Sequence, residues 1–278
     1  MSLSFHVGIV RVFLCALLAS CGGHADDESE GRSAAAPSSL SPAARALRIP
    51  VMRLAPVVDT RAGLVGKPVR IRVVIEGRIP SDTSYRTGVI DPVCGDSIRD
   101  LRVESSGTAL IGALVWVEGT TPVIAAPVQQ ERRPVVTLGD CLLLPQVQTA
   151  APGSTLQLVM RDARIDTLIV VPTRSAAALD TVSFLTDGQL VPLRGRAESV
   201  GVIGVYSTRL PWAKAFVAIT PAGASGVTDR DGTARVVLDA AGRKATLRAW
   251  HPLLGVVATT IDPSKIPVDA LVTLTFRR

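Results

Sequence analysis

The chain has 278 residues, 47% hydrophobic and only 4% aromatic, and a formal charge of +6 from twenty-six arginines and four lysines against twenty-four acids. That length can bury a full core and accommodates one large domain or two ordinary ones. The arginines are scattered singly, without interleaved aromatics, which excludes the clustered basic stripe of a nucleic-acid binder and leaves compositional bias as the reading of the surplus.

At the start of the chain, Arg11 precedes an apolar run from Val12 to Ala19. The run is far shorter than the roughly 20 residues that span a bilayer, so residues 1–20 read as an export signal. Leu18-Ala19-Ser20-Cys21 resembles the lipobox of bacterial lipoproteins, in which the cysteine is lipidated and becomes the new N-terminus. The resemblance implies a lipid anchor on Cys21 and a place on the periplasmic face of the cell envelope. Ordinary secretory cleavage after Ala25 is the competing reading. Gly22 and Gly23 stand where an aspartate would favour inner-membrane retention, which points to the outer membrane. Residues 21–66 begin with an Ala-, Ser-, Gly- and Pro-rich stretch carrying Asp26, Asp27, Glu28 and Glu30, a composition suited to a flexible tether and not to a core.

Export also sets the redox context. Cys15 leaves with the signal and Cys21 takes lipid, so Cys94 and Cys141 remain as an even pair. A bridge between them closes a long loop, worth roughly 4 kcal/mol in the chain-entropy model, and a structural disulfide is expected. Neither cysteine has a CxxC partner or a nearby histidine, which removes the zinc-site reading. A redox role for the pair is the alternative, and it predicts easy reduction.

From residue 67 the pattern is that of strands. Val69, Ile71, Val73 and Ile75 alternate with Arg70, Arg72 and Glu76, a half-buried strand ending at Gly77. Ala109–Glu118 is almost wholly apolar, a strand expected to be covered on both faces. Further strands are expected at 135–138, 142–144, 156–160, 168–171 and 200–206, separated by Pro or Gly turns. Pro211 and Trp212 then lead into an alternating stretch with Ala213, Ala215, Val217 and Ile219 on one face and Lys214, Phe216 and Ala218 on the other. Val227–Gly232 reads as an Asp-capped turn with Gly232 at positive φ. Strands follow at 234–238, 246–250 and 271–276. No sustained helical period occurs, so the expected class is all-β.

Several segments taken together resemble the periplasmic methylamine-utilisation and plastocyanin-like proteins, in which a cupredoxin-like domain precedes a carboxypeptidase-regulatory-like domain. They are Val93-Cys94-Gly95, Gly112–Gly119, Cys141 with Pro145, Pro211–Val217, Thr228–Gly232 and Ala249–Gly255, together covering roughly residues 69 to 258. The resemblance implies a Greek-key cupredoxin-like sandwich, assigned to 67–214, followed by a smaller transthyretin-like sandwich, assigned to 215–278. Its copper-loop pattern C-x-x-H-P-W-M lies over Ser207 to Ala213, which puts Ser207 at the cysteine, Leu210 at the histidine and Ala213 at the methionine. The other imidazole of relatives falls within Arg161–Leu168, which has no histidine either. Blue copper needs two imidazoles and a thiolate, and a hydroxyl, an isobutyl and a methyl cannot replace them. No cofactor is therefore expected.

Of the three histidines, only His251 lies in a folded segment, and beside Trp250 it reads as a packed structural residue. Asp229 and Asp231 lack the further oxygen ligands a calcium site needs and read as turn residues. Asp162 and Asp166 are a conceivable carboxylate pair for acid–base work, with no supporting pattern. Ser105, Ser106, Ser207 and Ser225 have no nucleophile-elbow context, and no phosphate-binding glycine loop is present. These readings converge on a non-enzymatic envelope lipoprotein that acts as a scaffold or binding module with a degenerate, copper-free site. The alternative is an envelope glycan- or peptide-binding protein acting through the transthyretin-like domain and Trp250. The expected partners are the membrane, through the lipid anchor, and an envelope protein, peptide or glycan, with nucleic acid excluded.

Overall fold

The computed structural model describes residues 66–78, 84–91, 93–99, 103–118, 133–162, 165–172, 178–193, 200–221, 223–239 and 244–278. The expected export signal, the expected lipid-anchor position Cys21 and the expected tether lie outside them. The strands in chain order are β1 (Gly66–Glu76), β2 (Ser84–Asp91), β3 (Gly95–Arg99), β4 (Ser105–Ser106), β5 (Ala109–Leu110), β6 (Leu114–Glu118), β7 (Val135–Gly139), β8 (Leu142–Leu144), β9 (Val147–Ala150) and β10 (Gln157–Met160). They continue as β11 (Asp166–Pro172), β12 (Asp180–Phe184), β13 (Leu190–Pro192), β14 (Gly201–Ser207), β15 (Lys214–Ile219), β16 (Ser225–Val227), β17 (Thr233–Asp239), β18 (Ala245–His251), β19 (Gly255–Ile261) and β20 (Leu271–Arg277). The protein is all-β; among the described residues the helical element is a single 3₁₀ turn at Pro263–Lys265.

Two sandwiches are built from these strands, but not in sequence order. The first pairs a sheet ordered β17-β1-β5-β4, with β20 alongside β1, against a sheet ordered β16-β6-β18-β19. Its core joins Val69, Ile71, Val73 and Ile75 of β1 and Val236 and Leu238 of β17 to Val115 and Val117 of β6 and Leu247 and Ala249 of β18. The second packs β12-β11-β14-β15-β9 against β13-β10-β7-β8. Leu138, Leu158, Leu168, Val170, Phe184, Val205 and Val217 fill it.

The expected boundary between 214 and 215 therefore gives way to a different organisation. The chain begins the first sandwich with β1, sets β2 and β3 aside as a separate two-stranded sheet, continues the first sandwich with β4 to β6, builds the second with β7 to β15, and returns with β16 to β20. β1 pairs antiparallel with β17 and parallel with β20, and β6 pairs with β16 and β18. The sandwich assigned to 215–278 is thus completed by N-terminal strands, and β15, assigned to it, lies in the second sandwich between β14 and β9. The physical reason is that β1 and β17, paired edge to edge in one sheet, bury their apolar faces together against β6 and β18, and periodicity along one strand carries no information about its partner.

A third apolar layer joins the sandwiches. The outer face of the β6–β18 sheet contributes Leu114, Trp116 and Trp250; the outer face of the β14–β15 sheet contributes Val202, Tyr206, Phe216 and Ala218. Phe216 meets Tyr206 and Trp250 edge-to-face, with ring centroids 6.2 and 5.1 Å apart. Four sheets are stacked in consequence, and central strands of the two inner ones, β6, β14 and β15, are buried on both sides. This explains why all six residues of β15 are buried even though its sequence alternates: Ala215, Val217 and Ile219 enter the core of the second sandwich, Phe216 and Ala218 the layer between sandwiches. β6 is covered on both faces for the same reason. The single strand expected over Ala109–Glu118 is broken at Gly112, φ 74°, into β5 and β6.

The Thr228–Gly232 turn links the two sheets of the first sandwich. Asp229 Oδ1 accepts from the backbone N–H groups of Asp231 and Thr233, both at 2.9 Å, which fixes the turn. Gly232, φ 68°, donates its N–H to Asp229 C=O at 3.0 Å and accepts from Val73 N–H at 2.8 Å, and a Cβ there would lie 2.8 Å from that of Ala109. Only glycine gives both the conformation and the approach.

Candidate functional site

The loop over which the copper-ligand pattern of the resembled family falls, with its ligands replaced, closes the hairpin between β14 and β15. Ser207 ends β14, and the turn is tied by Ala213 N–H to Leu210 C=O at 2.9 Å and by Ser207 N–H to Ala213 C=O at 3.2 Å. Ser207 Oγ accepts from Leu210 N–H at 2.8 Å and Arg209 N–H at 3.1 Å, so the hydroxyl itself organises the turn. Its own proton goes to Asp166 Oδ2, 2.7 Å away at the start of β11, while Asp166 Oδ1 accepts from Thr167 N–H at 2.6 Å. Asp166 and Ser207 are both buried.

The residues expected at the histidine and methionine positions form no cage. Leu210 and Ala213 are 4% and 1% exposed and belong to the core of the second sandwich. They are apolar filling at its end. Among the described residues no group of three or more His, Cys, Asp or Glu side chains converges as metal ligands. The donors at this end are one carboxylate already bonded to a hydroxyl and a backbone amide, and two amide N–H groups that point at Ser207 with the wrong polarity for a cation. This set does not fit copper, which calls for imidazole nitrogen and thiolate sulfur.

A second set of contacts lies beside it. Cys94 and Cys141 form a disulfide, with Cα atoms 5.7 Å apart. Cys141 sits with Asp140 in the two-residue turn between β7 and β8, both at positive φ, 64° and 49°. A left-handed cysteine is unusual and has to be held by its surroundings. Asp162 Oδ2 accepts from Cys141 N–H at 3.0 Å, and Trp212 Nε1–H donates to Cys141 C=O at 3.0 Å. Asp162 and Asp166 therefore do not act as a pair: each accepts bonds of its own, one fixing Cys141 and the other the β14–β15 turn. Residue order alone does not reveal these roles; the available signal was that Asp166 falls within the segment where relatives carry an imidazole.

His251 is elsewhere, at the end of β18. It is 3% exposed, and its Nδ1 accepts from Leu253 N–H at 3.2 Å. Burial, reinforced by the positive charge of Arg278, pushes its pKa down to about 4, so the ring is neutral at physiological pH. His251 lines a cleft of about 410 Å³ together with Glu104, Ile111, Leu142, Leu144 and Pro145, where loops of the two sandwiches meet. Trp250, expected to serve glycan binding, is 1% exposed and packs on Phe216 between the sandwiches. Trp116, Trp212, Tyr206, Phe184, Phe216 and Phe276 are buried as well. In this packing the Trp250 ring has no open face for a sugar to stack on.

No family model matches the chain, and no curated protein matches it. Solved structures that align with it include a purple cupredoxin from Nitrosopumilus maritimus, at 14% identity over 31% of this chain and 99% of the other, with a TM-score of 0.26. A Cu(I) amicyanin variant aligns at 20% identity over 38% of this chain and 98% of the other, TM-score 0.28. The copper-containing nitrite reductase from Thermus scotoductus aligns at 14% identity over 36% of this chain and 25% of the other, TM-score 0.28. Alignments of this score leave function open.

Proposed function

We propose that the chain is a non-enzymatic, lipid-anchored protein of the bacterial envelope in which a copper-free cupredoxin-like sandwich, inserted into a transthyretin-like one, serves as a scaffold or binding module. The observation that carries the reading is the bond from Ser207 to Asp166, which ties the loop to β11 with Leu210 and Ala213 packed beneath it. A protein–protein hydrogen bond and apolar filling take the place that ligands would need. The same bond argues against nucleophilic catalysis by Ser207, whose proton is directed to a carboxylate and whose oxygen already accepts two amide bonds. Stacking of four sheets favours a rigid spacer that presents loops at a fixed distance from the membrane.

The test is reconstitution with Cu(II) and Cu(I) followed by metal analysis and visible spectroscopy. The reading expects sub-stoichiometric copper and no intense blue band; one tightly held copper per chain with such a band would overturn it. The anchor is tested by metabolic labelling with palmitate, which should be lost in Cys21→Ser.

A further inference from the structure

The cleft at His251 has the make-up of a ligand site: apolar walls and three polar side chains, Gln146, His251 and Glu104, of which His251 offers a donor and Glu104 an acceptor, within the volume range of natural small-ligand pockets. Ile111, Leu142, Leu144 and Pro145 form the walls. Leu144 is 46% exposed although the neighbouring Leu143 is buried, so the end of β8 turns an apolar side chain outward into the cleft it lines. His251 has its Nδ1 taken by Leu253 N–H, which places the ring proton on Nε2. Among the described residues that Nε2–H has no protein acceptor, and it is the donor the ring can offer to the cleft. Glu104, exposed, is an acceptor on the solvent side.

We propose that this cleft holds a short, uncharged, apolar peptide segment of an envelope partner, its backbone C=O accepting from His251 Nε2–H and its N–H donating to the Glu104 carboxylate. A backbone amide carries one acceptor and one donor, flanked by side chains that suit the leucine and proline walls. A fatty acid would match the walls, but its carboxylate would meet the charge of Glu104; Arg278, whose charge reaches His251, does not line the cleft and donates to Leu253 C=O at 2.8 Å. A sugar would set its hydroxyls against Leu142, Leu144 and Pro145 with no aromatic face to stack on. The inference rests on the binding-module reading and not on the state of the degenerate loop.

The experiment uses the full chain labelled with ¹⁵N-histidine. Only three histidines are present, and His6 and His24 both precede the sandwiches, so the His251 side-chain resonance is readily assigned. Acetyl-leucyl-valyl-leucinamide is titrated in, with dodecanoate as the second arm. The expected result is a saturable shift of the His251 Nε2 resonance by the peptide. Leu144→Glu, which puts a charge into the apolar wall at an exposed position, should weaken binding by about tenfold or more. Glu104→Gln should weaken it less. No saturable shift up to millimolar peptide, unchanged affinity in Leu144→Glu, or a shift produced by dodecanoate in place of the peptide overturns the proposal. Copper uptake by the same sample would overturn the copper-free reading and leave this result standing.

Discussion

Ser207→Ala removes one oxygen on which three hydrogen bonds end: the donation to Asp166 Oδ2 at 2.7 Å and the acceptances from Leu210 N–H at 2.8 Å and Arg209 N–H at 3.1 Å. Asp166, 1% exposed, then loses a partner with no ready access for replacement water. A bond to an ionised group contributes about 1.5–3 kcal/mol, and an orphaned buried donor costs about 1–3 kcal/mol. Since all three share one atom they are not additive, and about 3 kcal/mol is expected for the substitution. With a urea m-value of about 2 kcal/mol/M, the unfolding midpoint falls by about 1.5 M at pH 7. Asp166→Ala and the double variant complete a thermodynamic cycle, for which direct contact predicts a coupling of about 1–3 kcal/mol. A loss below about 0.5 kcal/mol for Ser207→Ala, or additivity of the two changes, would refute the claim that this bond replaces metal coordination as the tie between β11 and the β14–β15 turn.

Phe216→Ala opens the layer between the sandwiches and should cost about 3–5 kcal/mol, read by urea unfolding, while leaving the two sandwich cores intact. Reducing the Cys94–Cys141 bridge should require a denaturant together with the thiol, because Cys141 is fully buried, and Cys94→Ala with Cys141→Ala should cost roughly 4 kcal/mol for a loop of separation 47; rapid loss of the bridge in mild thiol alone would favour a redox role. His251, with its pKa lowered to about 4, makes the folded state bind fewer protons than the unfolded state between the two pKa values. Its contribution is therefore full above pH ~6.5 and declines as pH falls toward 4, by roughly 2–3 kcal/mol, and the pH dependence should flatten correspondingly in His251→Gln.

The β14–β15 loop illustrates what residue identities alone can convey. A metal ligand set is a matter of atom types, so Ser, Leu and Ala at the ligand positions are informative without coordinates. What occupies the site instead is a matter of proximity. Asp166 and Ser207 are 41 positions apart in sequence and meet only because β11 and β14 are neighbours in one sheet. Trp250 shows the converse: an aromatic near a chain turn is equally compatible with an exposed platform and a buried anchor, and the packing of Phe216 against it decides between them.

Strand period, turn chemistry and the all-β class were determined by the sequence itself, because alternation and Asp- or Gly-bearing turns act over a few residues. The cover on both faces of β6 was legible too, since a strand without a polar face has none to give to water. Only the tertiary structure decided which strands share a sandwich. β1 finds β17 and β20 across nearly the whole chain, and the second sandwich is closed before β16 returns to β6. Such pairings follow from the joint burial of two distant apolar faces, a quantity that no single stretch of residues contains.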